Sequence, residues 1–172
     1  MKLQLADMSA GTLDYHYLKQ QIDSSGLSHP SLVRITHFSL AVSETEAYVV
    51  IITNPRIQAI LLNWLVTTPI TQIWHNLSFD GRIIYYHTKR LPLNYEDTQV
   101  LAKTLLNHVN NKKSVTGLKH LMGYKYGAWA VSEDNFNQAQ MFEEHVLHYA
   151  AIDAAATLAL WNEIQQSLTQ GD

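Results

Sequence analysis

Two short stretches carry side chains whose types and spacing could do chemistry. The first is Asn76-Leu77-Ser78-Phe79-Asp80, directly after a short apolar run. If that run is a strand, Asp80 lies just past a strand end, where α/β sheets place ligands and reacting groups. The plainer use of such an aspartate is to cap a helix. The second is His148-Tyr149-Ala150-Ala151-Ile152-Asp153, within an alanine-rich segment that reads as helix. Four residues separate Tyr149 from Asp153, so the two share a face one turn apart. That stripe continues through Ala156 and Leu160 towards the body of the protein. A carboxylate on a small, apolar stripe is costly unless something neutralises it. A divalent cation would do so; a hydrogen bond from the sheet or from Tyr149 is the structural alternative.

Other chemistries find no support. There is no cysteine, which removes disulfides, thiolate catalysis and Cys-based zinc sites. The nine histidines show no His-x-x-x-His or His-Glu-x-x-His spacing, so a zinc hydrolase is not expected. His145 and His148 precede the tyrosine and read as surface groups or as groups that support the site from behind. No Gly-x-Ser-x-Gly turn and no phosphate-cradling glycine loop occurs.

The elements that must position these side chains can be read from the pattern. At 172 residues, 47% apolar and 16% charged, the chain is the size of one globular domain, taken as 1–172. Its longest apolar stretches, 48–52 and 57–66, are too short to span a bilayer. No basic-then-apolar leader opens the sequence, so a cytoplasmic protein without a membrane partner is expected. The alternation at 2–7 predicts a first strand, 12–25 a helix, and 32–42 with 47–53 a hairpin. Asn54-Pro55 opens a helix over 56–66, with Ile57, Ile60, Leu61 and Trp64 on its buried face. A buried strand follows at 71–75, then a helix over 79–89. Asp97 stands at a strand-to-helix junction, capping a helix that runs to residue 107. A polar linker covers 110–116, followed by a short helix over 117–122 and an aromatic loop. The last helix runs from about 138 through 163, with a break near Glu143. Strands first, then strands flanked by helices, indicate a mixed sheet covered by helices in one α/β domain.

Charge is uneven along this frame. The formal net charge is −3, which argues against nucleic-acid binding by bulk attraction. Yet residues 98–132 contain no acidic residue, and 82–125 hold eight basic groups against Glu96 and Asp97. Tyr124, Tyr126 and Trp129 close that stretch. Lysines interleaved with aromatics can hold phosphates and stack bases; a solvated surface is the plain alternative.

Taken together, the motifs resemble the tyrosine subclass of the DEDD 3′–5′ exonucleases, in particular the proofreading domains of family A DNA polymerases, including phage ones. Asn76 to Asp80 matches the family's Asn-x-x-(Phe/Tyr)-Asp motif, and Tyr149 with Asp153 its Tyr-x-x-x-Asp motif. Asp97-Thr98 and the stretch from Ser114 to Leu121 with Gly123 resemble intervening segments. The first motif, Asp-x-Glu at the end of the first strand, is degenerate. Asp7-Met8-Ser9 keeps the aspartate and puts serine in place of glutamate. A second register, Gln21-Ile22-Asp23, copies the following Gly26-Leu27 better but has a polar upstream segment, so Asp7 is favoured.

The resemblance implies a ribonuclease H-like mixed sheet flanked by helices, and two Mg²⁺ or Mn²⁺ ions at the site. Asp7 would bridge both ions, Asp80 would hold the one at the leaving group and Asp153 the one at the attacking water, which Tyr149 would orient. Ser9 is a poor substitute for glutamate, so another acid, such as Asp14 or Asp23, could complete the set. Asn76, Phe79, Lys112, Lys113, Lys119 and Tyr124 would contact nucleic acid. The implied substrate is a single-stranded or frayed DNA 3′ end, with RNA a sub-option because the RNase D-like branch also uses the tyrosine motif. A DNA polymerase subunit is the implied partner, in the host cytoplasm if the chain is phage-encoded. The alternative is a weakened exonuclease-fold module that binds nucleic acid or a polymerase without cleaving.

Overall fold

The computed structural model describes residues 10–14 (by their backbone), 35–106, 115–131 and 142–169. Five strands form one mixed sheet: β1 Ala10–Asp14, β2 His37–Ser43, β3 Glu46–Ile51, β4 Gln72–Trp74 and β5 Tyr95–Asp97. Their order across the sheet is β3-β2-β1-β4-β5. β1 to β3 pair antiparallel, with Asp14 opposite His37 and His37 opposite Ile51. β1, β4 and β5 run parallel, with Ala10 opposite Ile73 and Trp74 opposite Asp97. This is the single-domain, ribonuclease H-like α/β arrangement that the sequence implied.

Side-chain alternation explains the two layers of helix on this sheet. On β2, Phe38 and Leu40 point to one face, where they meet Leu61, Leu62, Leu65 and Val66 of α1 (Pro55–Thr67) and Ile83 and Ile84 of α2 (Leu77–Thr88). The other face carries the compact, fully buried His37, Ser39 and Ala41. Small groups there let a helix come close. Ala41 and Ile73 pack with Ala154, Ala155 and Leu158 of the final helix, α5 (Glu144–Thr169). Alanine suits both demands, being the best helix former and the smallest side chain with a Cβ. The opposite side of α5 is covered by α4 (Leu118–Tyr126) and a 3₁₀ turn, Gly127–Val131. A short helix, α3 (Thr98–Leu105), leaves β5 directly.

Several expectations hold closely. The hairpin, the α1 start with Asn54 accepting from the Arg56 and Ile57 amides, and the buried β4 are all present. Others need correction. Thr12–Asp14 belongs to β1 rather than to a helix, because pairing with β2 and β4 outweighs a local helical pattern; the expected strand at 2–7 lies outside the described residues. β2 begins at His37, not at 32. On α1, Ile60 is 54% exposed while Leu62, Leu65 and Val66 are buried. α4 extends to Tyr126, beyond the expected 122. α5 starts at Glu144, with Phe142 and Glu143 outside it. No described helix is long and apolar enough to cross a membrane.

Candidate active site

The corner leaving β4 is fixed by one carboxylate. Asp97 sits opposite Trp74 in the β4–β5 ladder. Its Oδ1 accepts from the amides of Asn76 (3.0 Å) and Gln99 (2.9 Å), and its Oδ2 from the amide of Leu77 (2.8 Å). A single side chain thus caps the N-termini of both α2 and α3, satisfying donors those helices cannot pair internally. The fold needs this because Asn76, at the α2 cap position, is in the left-handed region (φ 66°) and makes no side-chain cap. Asparagine tolerates that conformation better than most residues. Its Oδ1 instead accepts from the Ser78 hydroxyl at 2.9 Å. Asp80 therefore arrives in the first turn of α2, 6% exposed, with its charge near the positive end of the helix.

Beside this corner, His75 is locked as a neutral ring. Thr98 Oγ1 donates to the Trp74 carbonyl (3.0 Å) and shares a hydrogen bond with His75 Nδ1 at 2.9 Å. Nε2 is buried without a well-aligned partner among the described residues. Burial pushes the His75 pKa down to about 4, opposed by the Asp97 charge and the Thr116 backbone and helped by Lys103.

The second candidate pair lies on the face of α5 that packs against α4 and the 3₁₀ turn. Tyr149 is buried and packs with Met122, Trp129, Ala156 and Leu160. Asp153, one turn on, accepts a hydrogen bond from Trp129 Nε1 at 2.9 Å. Lys119 of α4 places its ammonium 4.8 Å from the centre of the Tyr149 ring, a cation–π contact that brings positive charge beside the tyrosine. His145 and His148 are exposed on α5, and His145 pairs with Glu143.

Asp80 and Asp153 offer carboxylate oxygens, the donors that hard ions such as Mg²⁺ and Mn²⁺ take. Their chemistry fits such an ion. Among the described residues no three His, Cys, Asp or Glu side chains form a cluster that could hold a metal ion. Asp7, Gln21 and Asp23 lie outside the described residues. β1, running parallel to β4, ends on Asp14 at the sheet edge from which α2 departs.

The expected nucleic-acid contacts divide. Phe79 is partly buried against the α1–α2 core, with the Arg82 guanidinium 5.7 Å from its ring centre. Tyr124 is 73% exposed, and its hydroxyl donates to Glu163. Lys112 and Lys113 lie outside the described residues. Lys125 is engaged by Glu44 and Glu163, and its hydrogen bond to Glu44 raises its pKa. Trp129, grouped in sequence with aromatics able to stack bases, is instead 4% exposed. Sequence reasoning missed two features, the double cap by Asp97 and the indole bound to Asp153. Both join residues 20 or more positions apart, so no local pattern announced them.

The family model described as 3′–5′ exonuclease matches residues 28–169. Solved structures share the fold. The structure of Brucella melitensis NrnC bound to pGG is 18% identical with a TM-score of 0.65, covering 97% of this chain and 76% of that one. NrnC with bound Mg²⁺ is 19% identical with a TM-score of 0.61 and the same coverage. Escherichia coli RNase D, described as an exoribonuclease involved in structured RNA processing, is 17% identical with a TM-score of 0.56, covering 80% of this chain and 36% of that one. No curated protein matches the sequence significantly.

Proposed function

Because the chain belongs to the 3′–5′ exonuclease family, we propose that it hydrolyses the terminal phosphodiester at the 3′ end of a single-stranded or frayed strand, using two divalent ions. The observation that carries this reading is the pairing on α5 of a buried tyrosine with a carboxylate held by an indole N–H, one turn apart. Mg²⁺ or Mn²⁺, when bound, supplies the charge that acidifies water and offsets the phosphate. Asp80 and Asp153 hold it, with the third carboxylate coming from the first-motif segment, Asp7 by the sequence register or Asp14 by its place at the end of β1. The Tyr149 hydroxyl orients the attacking water. Lys119, whose ammonium lies over the Tyr149 ring, would meet a backbone phosphate. Asn76, Phe79 and Tyr124, with Lys112 and Lys113, extend the surface along the strand.

DNA is the substrate expected from the sequence, with proofreading beside a polymerase subunit as the setting. RNA is a second reading, favoured by the shared fold with RNase D and its described role in RNA processing. A time course on 3′-labelled DNA and RNA single strands of one sequence, with Mg²⁺ or Mn²⁺, tests both. Release of mononucleotides from one strand type in the presence of metal is the expected result. Retention of both strands without cleavage would select the binding-module alternative.

A further inference from the structure

We propose that Trp129 is a positioning residue for the Asp153 carboxylate, fixing its orientation before any ion arrives. This rests on the reading of Asp153 as a metal ligand. The indole Nε1–H donates to Asp153 Oδ1 at 2.9 Å from a side chain that is almost fully buried. A hydrogen bond to an ionised acceptor is shorter and stronger than a neutral one. The same ring packs on Tyr149, with centroids 6.4 Å apart and planes tilted by 44°, and meets Tyr126 edge-on at 6.0 Å. One side chain therefore sets both members of the Tyr149–Asp153 pair.

The backbone behind Trp129 is built to hold it there. Gly127 turns the chain out of α4 at φ 57° and ψ −116°, a conformation open to glycine and strained for other residues. A Cβ on Gly123 would lie 2.8 Å from the Ala130 Cβ, so α4 and the 3₁₀ turn approach as closely as glycine permits. Tyr126, between them, donates its hydroxyl to the Glu44 carbonyl at 3.0 Å and anchors the turn to the β2–β3 hairpin. Partners that orient metal ligands in this way typically change metal affinity 10–100-fold when removed.

The test is Trp129→Phe, which keeps an aromatic ring and removes the N–H. Mn²⁺ binding to the chain alone, without nucleic acid, is read by electron paramagnetic resonance, alongside the melting temperature of the metal-free protein. The expected result is a Mn²⁺ Kd raised about 10-fold or more, with cleavage recovering as Mn²⁺ is raised. Equal Mn²⁺ affinity in a folded Trp129→Phe overturns the proposal while leaving the exonuclease reading intact. A wild type that binds no Mn²⁺ overturns both. A second measurement needs no variant of Trp129. Mg²⁺ added to the wild type should move the Trp129 indole ¹⁵N–¹H resonance, and Asp153→Asn should move it in the metal-free protein. An indole signal indifferent to both overturns the assignment even where the phenylalanine variant fails to fold.

Discussion

Acidification should weaken the fold through His75. In the unfolded chain this ring titrates at its ordinary 6.5, whereas in the folded protein burial holds its pKa at about 4. Between those values the unfolded state binds the extra proton, so stability falls as pH drops from 6.5 towards 4, and nothing is lost above 6.5. At about 1.4 kcal/mol per pH unit, the loss is about 2 kcal/mol by pH 5 and about 3 kcal/mol by pH 4. The physical cause is burial, which strips solvent from the charged ring; the Asp97 charge and the Thr116 backbone offset this only in part. Urea unfolding of the wild type and of His75→Asn at pH 7.5, 6, 5 and 4.5 isolates this contribution. The asparagine amide can replace the Nδ1 hydrogen bond but cannot titrate. The wild type should lose about 2 kcal/mol more than His75→Asn between pH 7.5 and pH 5. Parallel pH dependences would refute the reasoning.

Asp97→Ala removes acceptors from three amides at once and should cost about 2 kcal/mol or more in denaturant unfolding; a loss under about 0.5 kcal/mol would show that the corner holds without its cap. Gly123→Ala should cost about 1–3 kcal/mol through the clash with Ala130, and Ala130→Gly in the same chain should restore much of it. Failure of that double variant to recover would place the strain elsewhere. Since β1 ends on Asp14, Asp14→Asn should slow metal-dependent cleavage more than Asp7→Asn in initial-rate assays. The reverse order would favour the Asp7 register.

Local patterns carried most of the architecture. The two alternating runs around the 43–46 turn, the Asn54-Pro55 helix start and the buried β4 are each set by neighbours in sequence, and each was readable. The stripe from Tyr149 through Ala156 and Leu160 was readable for the same reason, since helical spacing alone places those residues on one face. What escaped depends on partners distant in sequence. β1 is a strand because β2 and β4 lie on either side of it, which no local pattern expresses. On α1 the expected Ile57, Leu61 and Trp64 do pack against the core, but apolar residues surround that helix on almost every side, so Ile60 was wrongly included. Asp97 was recognised as the cap of its own helix, but its bonds to Asn76 and Leu77 cross about 20 residues of chain. Trp129 meets Asp153 across 24 residues, so its aromatic surroundings suggested base stacking rather than burial.

The central claim is that Asp153 works with Tyr149 in metal-dependent removal of 3′ nucleotides. The most direct test follows a 3′-labelled single strand over time with Mn²⁺, comparing the wild type with Asp153→Ala and recording strand retention and melting temperature for both. The account predicts stepwise loss of label with the wild type and none with the variant, which should stay folded and still hold the strand. Equal cleavage by both proteins, or a variant that unfolds because Asp153 serves only the packing, would contradict it.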